Sequence, residues 1–220
     1  ATGASVTEIP LTCIETLDRA PLAQALSRLV RYHWLLLTSV NAVQHVADAL
    51  RASHQTIGSL KIAVVGSATA EAAQLQGWHP TLVPERFLAE GLVDAMAARG
   101  DVDGARMLYP AAEGARDVLP AGLRALGADV DVIPVYRSAP DAEGQARLRS
   151  LVAAGALDLV TVAAPSTVDA LLAALPAVAF AGVGLTSQYL EQFGRKLLGG
   201  LLGKAAGRTF GKVGSAATGM

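Results

Sequence analysis

Apolar positions along this chain follow two spacings, and the spacings alternate. Trp34 to Leu37, Lys61 to Val65 and Ala105 to Tyr109 are short, nearly solid apolar runs of strand length. Between them the apolar residues recur every three or four positions. Leu22, Leu26, Leu29 and Val30 form one stripe over 20–31. Val43, Val46, Ala47 and Leu50 form another after Thr38-Ser39, a good N-cap pair. The run 61–65 stops at Gly66, and Ser67 and Thr69 open an Ala-rich helix over 69–76 that Gly77 closes. Then come a brief strand at 81–83, a helix at 88–98 and a strand at 105–109 ended by Pro110. A helix at 115–126 tolerates Pro120 near its start and stops at Gly127, and a strand at 130–137 follows. Before all of these, residues 5–12 read as a strand, with Pro10 marking an edge or an exit. After Asp141 the expected elements are a helix at 143–153, a strand at 158–163, a helix at 166–174, a strand at 178–183 and a helix at 186–193.

Strand and helix alternating through short joints predict an α/β fold with a parallel sheet covered on both faces. Two phrases also recur in order. Ala4 to Leu11 is echoed by Ala128 to Val135, each after a glycine, and Leu37 to Val43 is echoed by Val162 to Val168. Ordered recurrence predicts two similar α/β halves, and two facing halves make a cleft that can hold a ligand. The half beginning near Asp141 is the shorter one. A complete repeat supplies another strand and helix before Gly3, so the chain is expected to start in the middle of that unit.

With 220 residues, 52% hydrophobic and 5% aromatic, the chain can bury a substantial core among Ala-rich helices. A formal charge of −1 gives no general reason to expect nucleic acid. A single cysteine, Cys13, excludes an internal disulfide and a cysteine zinc site and suits a cytoplasmic setting. There is no signal-peptide pattern and no apolar stretch long enough for a stable membrane span. The segment from Gly194 differs in kind. It carries Arg195, Lys196, Lys204, Arg208 and Lys212 with no acid, and Gly199, Gly203, Gly207 and Gly211 recur every four residues. Membrane-surface binding is one reading. A disordered or foreign extension is the favoured one, because eight glycines oppose a helix.

Four expected strand-to-helix turns carry small hydroxyl residues and free backbone N–H groups. They are Thr38-Ser39-Val40-Asn41, Val65-Gly66-Ser67-Ala68-Thr69, Ala164-Pro165-Ser166-Thr167 and Val183-Gly184-Leu185-Thr186-Ser187. Unsatisfied donors and the positive dipole end coincide at such turns, which suits carboxylates or phosphates. Ordinary N-capping accounts for any one of them; four on one sheet edge put the two readings level. Neither a dinucleotide fingerprint nor a P-loop is present. His33, His45, His54 and His79 lack metal spacing and read as surface or packing residues. Cys13 reads as a small apolar residue rather than a nucleophile. Glu113, Arg116 and Asp117 read as a solvated charge cluster. Tyr136 falls on the strand connecting the halves, where its phenol can donate to a leaving oxygen or simply pack between domains.

At these residues the chain resembles the uroporphyrinogen-III synthase family, from about Gly3 to Gly194. The resemblance rests on Thr38 to Val43, Val65 to Ala70, Tyr109 to Pro120, Leu126 to Ala128 through Val135 to Ser138, and Asp158 to Thr161 leading to Pro165 to Val168. It implies two flavodoxin-like three-layer parallel-sheet domains joined by a two-stranded β-ladder formed by residues 7–14 and 131–138. The implied division is 1–17 as the end of the first-domain unit and its connector, and 18–130 as a complete α/β domain. Residues 131–140 are then the return connector, 141–194 the rest of the first domain, and 195–220 the glycine-basic tail. The family reaction converts hydroxymethylbilane to uroporphyrinogen III with loss of water and inversion of ring D, without a metal or organic cofactor. The implied mechanism passes through an azafulvene cation and a spiro intermediate. The implied upstream enzyme is porphobilinogen deaminase. By resemblance Tyr136 falls on a tyrosine that assists the leaving hydroxyl, and Ser39, Thr69, Ser166 and Ser187 fall on cleft hydroxyls. Thr38, Asn41, Gly66, Ser67 and Thr167 complete the expected substrate-binding set.

The chain departs from the family pattern in three places. The opening strand with its Thr-Arg-Pro turn is absent, Ala163-Ala164-Pro165-Ser166 stands where the family usually reads Thr-Ser-Pro-Ser, and the segment after Gly194 does not match. These departures keep a second reading open, a catalytically silent two-lobed module that binds a tetrapyrrole or another polycarboxylate.

Overall fold

The structure is a computed structural model that describes residues 5–162, 165–175 and 184–186. It divides into two compact units, Ala1–Cys13 with Pro140–Met220, and Ile14–Ala139. The chain passes from one unit to the other at residues 13–14 and again at 139–140.

The strands of the main sheet are β1 (Thr12–Thr16), β2 (Trp34–Leu37), β3 (Lys61–Val64), β4 (Arg106–Ala112) and β5 (Asp129–Pro140). Their spatial order is β1-β5-β4-β2-β3. Strands β2, β3, β4 and β5 are parallel neighbours, and Leu82 adds a single parallel bridge to Ala63 outside β3. Leu17 N–H donates to the Val135 carbonyl and Asp141 N–H to that of Leu11, so positions rising before and after β1 meet positions falling along β5, as antiparallel strands do.

The solid apolar runs are strands because both faces of this sheet are covered. Leu35, Leu37, Ile62, Val64, Leu108 and Val135 point to a core shared with α1 (Ala20–Leu26), α2 (Val40–Ala52) and α3 (Ser67–Leu75). Trp34, Leu36, Ala63, Met107, Tyr109 and Val130 point the other way, to α4 (Ala89–Arg99) and α5 (Val118–Ala125). The stripe Val43, Val46, Ala47 and Leu50 is buried as its spacing predicts.

The other unit holds α6 (Ala142–Ala153), β6 (Leu159–Thr161), α7 (Pro165–Ala174) and β7 (Gly184–Thr186), with β6 and β7 parallel. Leu11, Leu148, Leu171 and Leu175 form its core. Asp141 caps α6 by accepting the Gly144 N–H at 2.8 Å.

Several expectations are corrected. Residues 5–11 are not a strand; β1 begins at Thr12, after Pro10, which has no N–H for a ladder. The first echo therefore pairs coil with strand, whereas the second, at β2–α2 and β6–α7, pairs like with like. Helix 20–31 breaks after Leu26, where the Ser27 hydroxyl donates to the Gln24 carbonyl. A separate 3₁₀ turn follows at Leu29–Arg31, and Val30 faces solvent. Pro110 lies inside β4 instead of ending it. Beyond Leu108 strand β2 no longer pairs with β4, which leaves β4 an open side where a missing N–H is tolerated. The expected strand-to-helix turn at Val183–Ser187 is in part β7 itself. The expected strand 178–183, the helix beyond 186 and the tail from Gly194 lie outside the described residues.

Candidate functional site

Strand order fixes where a ligand can enter. From β2 the chain steps outward to β3 and the Leu82 bridge, then returns to the other side of β2 as β4 and continues to β5. Helices α2 and α3 cover one face and α4 and α5 the other. They diverge at the carboxyl ends of β2 and β4. Open α/β sheets bind ligands at such a reversal.

Two phenols reach the turn that follows β2, one from each face of the sheet. Tyr109, on β4 and facing α4 and α5, places its hydroxyl 3.3 Å from the Thr38 hydroxyl. Tyr136, on β5 and facing α1 to α3, places its hydroxyl 3.0 Å from the Ser39 hydroxyl. Tyr109 is 4% and Tyr136 9% exposed, so each ring is buried while its hydroxyl meets a turn residue. Ser39 also caps α2, its Oγ accepting the Ala42 N–H at 3.1 Å. Having accepted that bond, the Ser39 hydroxyl can donate a hydrogen bond to the Tyr136 oxygen. The phenol proton is then free for a third group. This chain, from Ala42 N–H to Ser39 to Tyr136, polarises in one direction and strengthens the terminal donor.

The Tyr136 ring is held by a neighbour. His45, one turn into α2, stacks on it with ring centroids 5.7 Å apart and planes 10° from parallel. Burial holds the His45 imidazole below its ordinary pKa, with Arg19 adding to the effect and Asp48 opposing it. A neutral ring packs against the phenol without bringing charge to it.

The second turn is built differently. Gly66 ends the β3 segment at φ +86°, a conformation that suits glycine, and heads α3 without a side-chain cap. The first amides of α3 thus have no side chain of their own turn to satisfy them. Ser67 is exposed, whereas Thr69 is buried at 4% exposure. Phe87, 55% exposed, packs beside Gly66, where a Cβ would meet its side chain at 3.9 Å. Val40, at the start of α2, is also exposed. Amide donors, hydroxyls and exposed apolar side chains therefore occur together at the turns that follow β2 and β3.

The structure thus brings Ser39 into hydrogen-bonding contact with Tyr136, pairs Thr38 with Tyr109 instead, and sets Asn41, half-buried, in the first turn of α2. Gly66, Ser67 and Thr69 belong to the next turn of the same sheet. Ser166 and Thr167 open α7 in the other unit. Ser187, Ala163 and Ala164 lie outside the described residues. Cys13 is exposed on β1 rather than buried as a small apolar side chain, because β1 is an outer strand with one neighbour. Arg116 pairs with Glu90 at 3.8 Å and Asp117 with Arg124 at 3.8 Å, both solvated. The His33 Nδ1 accepts the Arg106 N–H at 2.9 Å. Among the described residues no group of three or more His, Cys, Asp or Glu could hold a metal ion. Tyr109, Phe87 and the part His45 plays carry no sequence signal of their own, since each depends on which strands and loops are neighbours.

Comparison with known proteins gives a consistent picture. The family model described as Uroporphyrinogen-III synthase HemD matches residues 1–194. A uroporphyrinogen-III synthase of Synechococcus elongatus is 35% identical over 142 residues, 63% of this chain and 53% of that protein. A putative uroporphyrinogen-III synthase of Methanothermobacter thermautotrophicus is 33% identical over 154 residues, 67% of this chain and 59% of that protein. The chain therefore spans between half and six tenths of these relatives' length. Among solved structures, a mutant uroporphyrinogen III synthase of Thermus thermophilus superposes with a TM-score of 0.56 at 18% identity, covering 81% of this chain and 73% of that one. The Helicobacter pylori uroporphyrinogen-III synthetase gives 0.53 at 17% identity, covering 84% and 81%. These two likenesses speak to the fold.

Proposed function

The chain belongs to the uroporphyrinogen-III synthase HemD family, and from that membership we propose that it cyclises hydroxymethylbilane to uroporphyrinogen III. The observation that supports this most directly is the Ser39–Tyr136 hydroxyl pair at the reversal of the sheet. The reaction needs a donor for a departing hydroxyl, a grip on many carboxylates, and little else. As the terminal hydroxymethyl C–O bond breaks, the pyrrole nitrogen supplies the electron pair and an azafulvene cation forms. The Tyr136 hydroxyl donates to the leaving oxygen, and Ser39 keeps that phenol aimed. Attack by the substituted carbon of ring D gives the spiro intermediate, which fragments and recloses with the ring inverted. The balance is the loss of one water.

The substrate's eight carboxylates are matched by amide-rich helix starts rather than by arginines. In this reading the uncapped head of α3, with Gly66 and Ser67, takes one carboxylate. Thr38 and Asn41 flank the reacting end, Thr69 supports its turn from inside, and the apolar side chains Val40 and Phe87 lie against pyrrole faces. Much of the catalysis is then positioning, since one folded conformer must be held while the rings exchange. Hydroxymethylbilane cyclises on its own to the uninverted isomer I, so a bound but unassisted substrate gives a different product.

The second reading, a polycarboxylate-binding module without turnover, draws on Ala163 and Ala164, which lack the hydroxyls usual in the family at that turn. One experiment separates the two. Hydroxymethylbilane generated by porphobilinogen deaminase is supplied to the full chain and the uroporphyrinogen isomers are resolved. Isomer III in excess supports the synthase. Isomer I at the spontaneous rate, with the protein retaining a tetrapyrrole, supports the binding module and overturns the proposal.

A further inference from the structure

The unit Ile14–Ala139 has a second concavity at the opposite end of its strands. It is a groove of about 400 Å³ at the amino edge of β4 and β5, walled by α1 and the 3₁₀ turn. Four arginines line it: Arg28, Arg31, Arg106 and Arg124. Nothing in the chemistry proposed for Tyr136 uses them.

Two of the four are fixed. Arg106 donates to the Asp131 carboxylate at 3.0 Å, lies 3.5 Å from that of Asp129, and stacks over the Tyr32 ring at 5.4 Å. The Tyr32 hydroxyl donates to the same Asp131 oxygen at 2.6 Å. Arg124 donates to the Val130 carbonyl at 2.8 Å and lies 3.8 Å from Asp117. Arg28 and Arg31 are exposed and make no ion pair among the described residues. The groove's own carboxylate, Asp131, is already engaged by Arg106 and Tyr32.

A bland account assigns these arginines to the carboxyl ends of α1 and α5, which face this edge and carry about half a negative charge each. That account covers Arg124, in the last turn of α5. It does not cover Arg28 and Arg31. Asp129, Asp131 and Asp117 answer Arg106 and Arg124, and no carboxylate pairs with Arg28 or Arg31 among the described residues. A pair of oriented guanidinium groups beside an exposed pair without carboxylate partners is the arrangement that clasps oxyanions, since each offers paired N–H donors matched to carboxylate or phosphate oxygens.

We propose that this groove is a second ligand site, which takes a small oxyanion bearing two or more phosphate or carboxylate groups. Arg106 and Arg124 form its floor, and Arg28 and Arg31 close over the ligand. The site lies at the other edge of the sheet from Tyr136 and stands whether or not the synthase reading holds.

The test is calorimetric titration of the full chain with inorganic pyrophosphate and, separately, with citrate. Sodium sulfate of equal ionic strength serves as the control, and Arg28→Gln/Arg31→Gln as the variant. The expected result is saturable one-to-one binding of at least one probe, weakened about tenfold or more in the variant. Thermal unfolding without ligand should be the same in both proteins, because both arginines are exposed and unpaired. Tighter binding of pyrophosphate assigns the groove to phosphate ligands, and tighter binding of citrate to carboxylates. No saturable heat with either probe overturns the site. So does binding that sulfate reproduces or that the variant retains in full.

Discussion

Removing the Tyr136 hydroxyl should separate catalysis from stability. In Tyr136→Phe the ring keeps its burial and its stack on His45, and Ser39 keeps its bond to the Ala42 N–H. Only the 3.0 Å hydroxyl pair is lost, which costs about 0.5–1 kcal/mol of folding free energy. In a chain of this size that lowers the melting temperature by about 1–4 °C. Ser39→Ala removes both the pair and the α2 cap, and a lost cap costs about 1 kcal/mol by itself. The double variant should therefore be less destabilised than the sum of the singles by about 0.5 kcal/mol or more, because the shared bond is counted twice. Turnover should behave otherwise. Loss of a donor to a departing oxygen lowers kcat by about a hundredfold to a thousandfold, with little change in KM. Ser39→Ala should fall between wild type and Tyr136→Phe, since the phenol remains but is less well held. Isomer-resolved kinetics and thermal unfolding on the four proteins complete the cycle. Tyr136→Phe turning over as fast as wild type, at a comparable melting temperature, would refute the reasoning.

Burial, reinforced by its bond to Asp131, pushes the Tyr32 phenol up to about 12. Its protonated form is thus favoured in the fold, and its contribution, present below about pH 10, is lost as pH rises toward 12. Urea midpoints of wild type should fall more steeply than those of Tyr32→Phe over that window, and parallel curves would remove the effect. His45 is held below 6.5, so the unfolded chain binds its proton first and stability falls as pH drops below 6.5. In His45→Gln that acid-side slope should flatten, while an unchanged slope would place the proton elsewhere. Gly144→Ala would press a Cβ onto the Pro10 carbonyl oxygen, so α6 must shift at a cost of about 1–3 kcal/mol. Amide exchange over 142–153 should quicken, and an unchanged rate would mean that the Pro10 segment yields freely.

The parts of this molecule legible in the sequence are those set by local period. α2 was readable because one face had to be apolar and its start needed a cap, and both demands fall within a dozen residues. β2 and β3 are readable because a sheet covered twice buries Trp34 to Leu37 and Ile62 to Val64 on both faces. The failures are of another kind. Pro110 ends a strand by its own chemistry, and only the early end of the β2–β4 pairing makes room for it in β4. The apolar-polar mixture at 5–11 looks like a strand, yet the partner β5 selects residues 12–16 instead. Tyr136 could be placed beside a site from its position on a connecting strand. Tyr109 could not, because its approach to Thr38 exists only once β4 lies next to β2. The arginine groove is likewise invisible along the chain, its members lying as far apart as Arg28 and Arg124.

The central claim is that the carboxyl edge of this sheet grips a many-acid molecule through the starts of α2 and α3. Amide hydrogen exchange of the full chain, with and without uroporphyrin III as a stable polycarboxylate, tests it most directly. The account predicts slowed exchange at residues 40–42 and 67–70 and at the turn after β4. Protection confined to residues 28–33 and 129–133 at the opposite edge, or no protection at all, would contradict it.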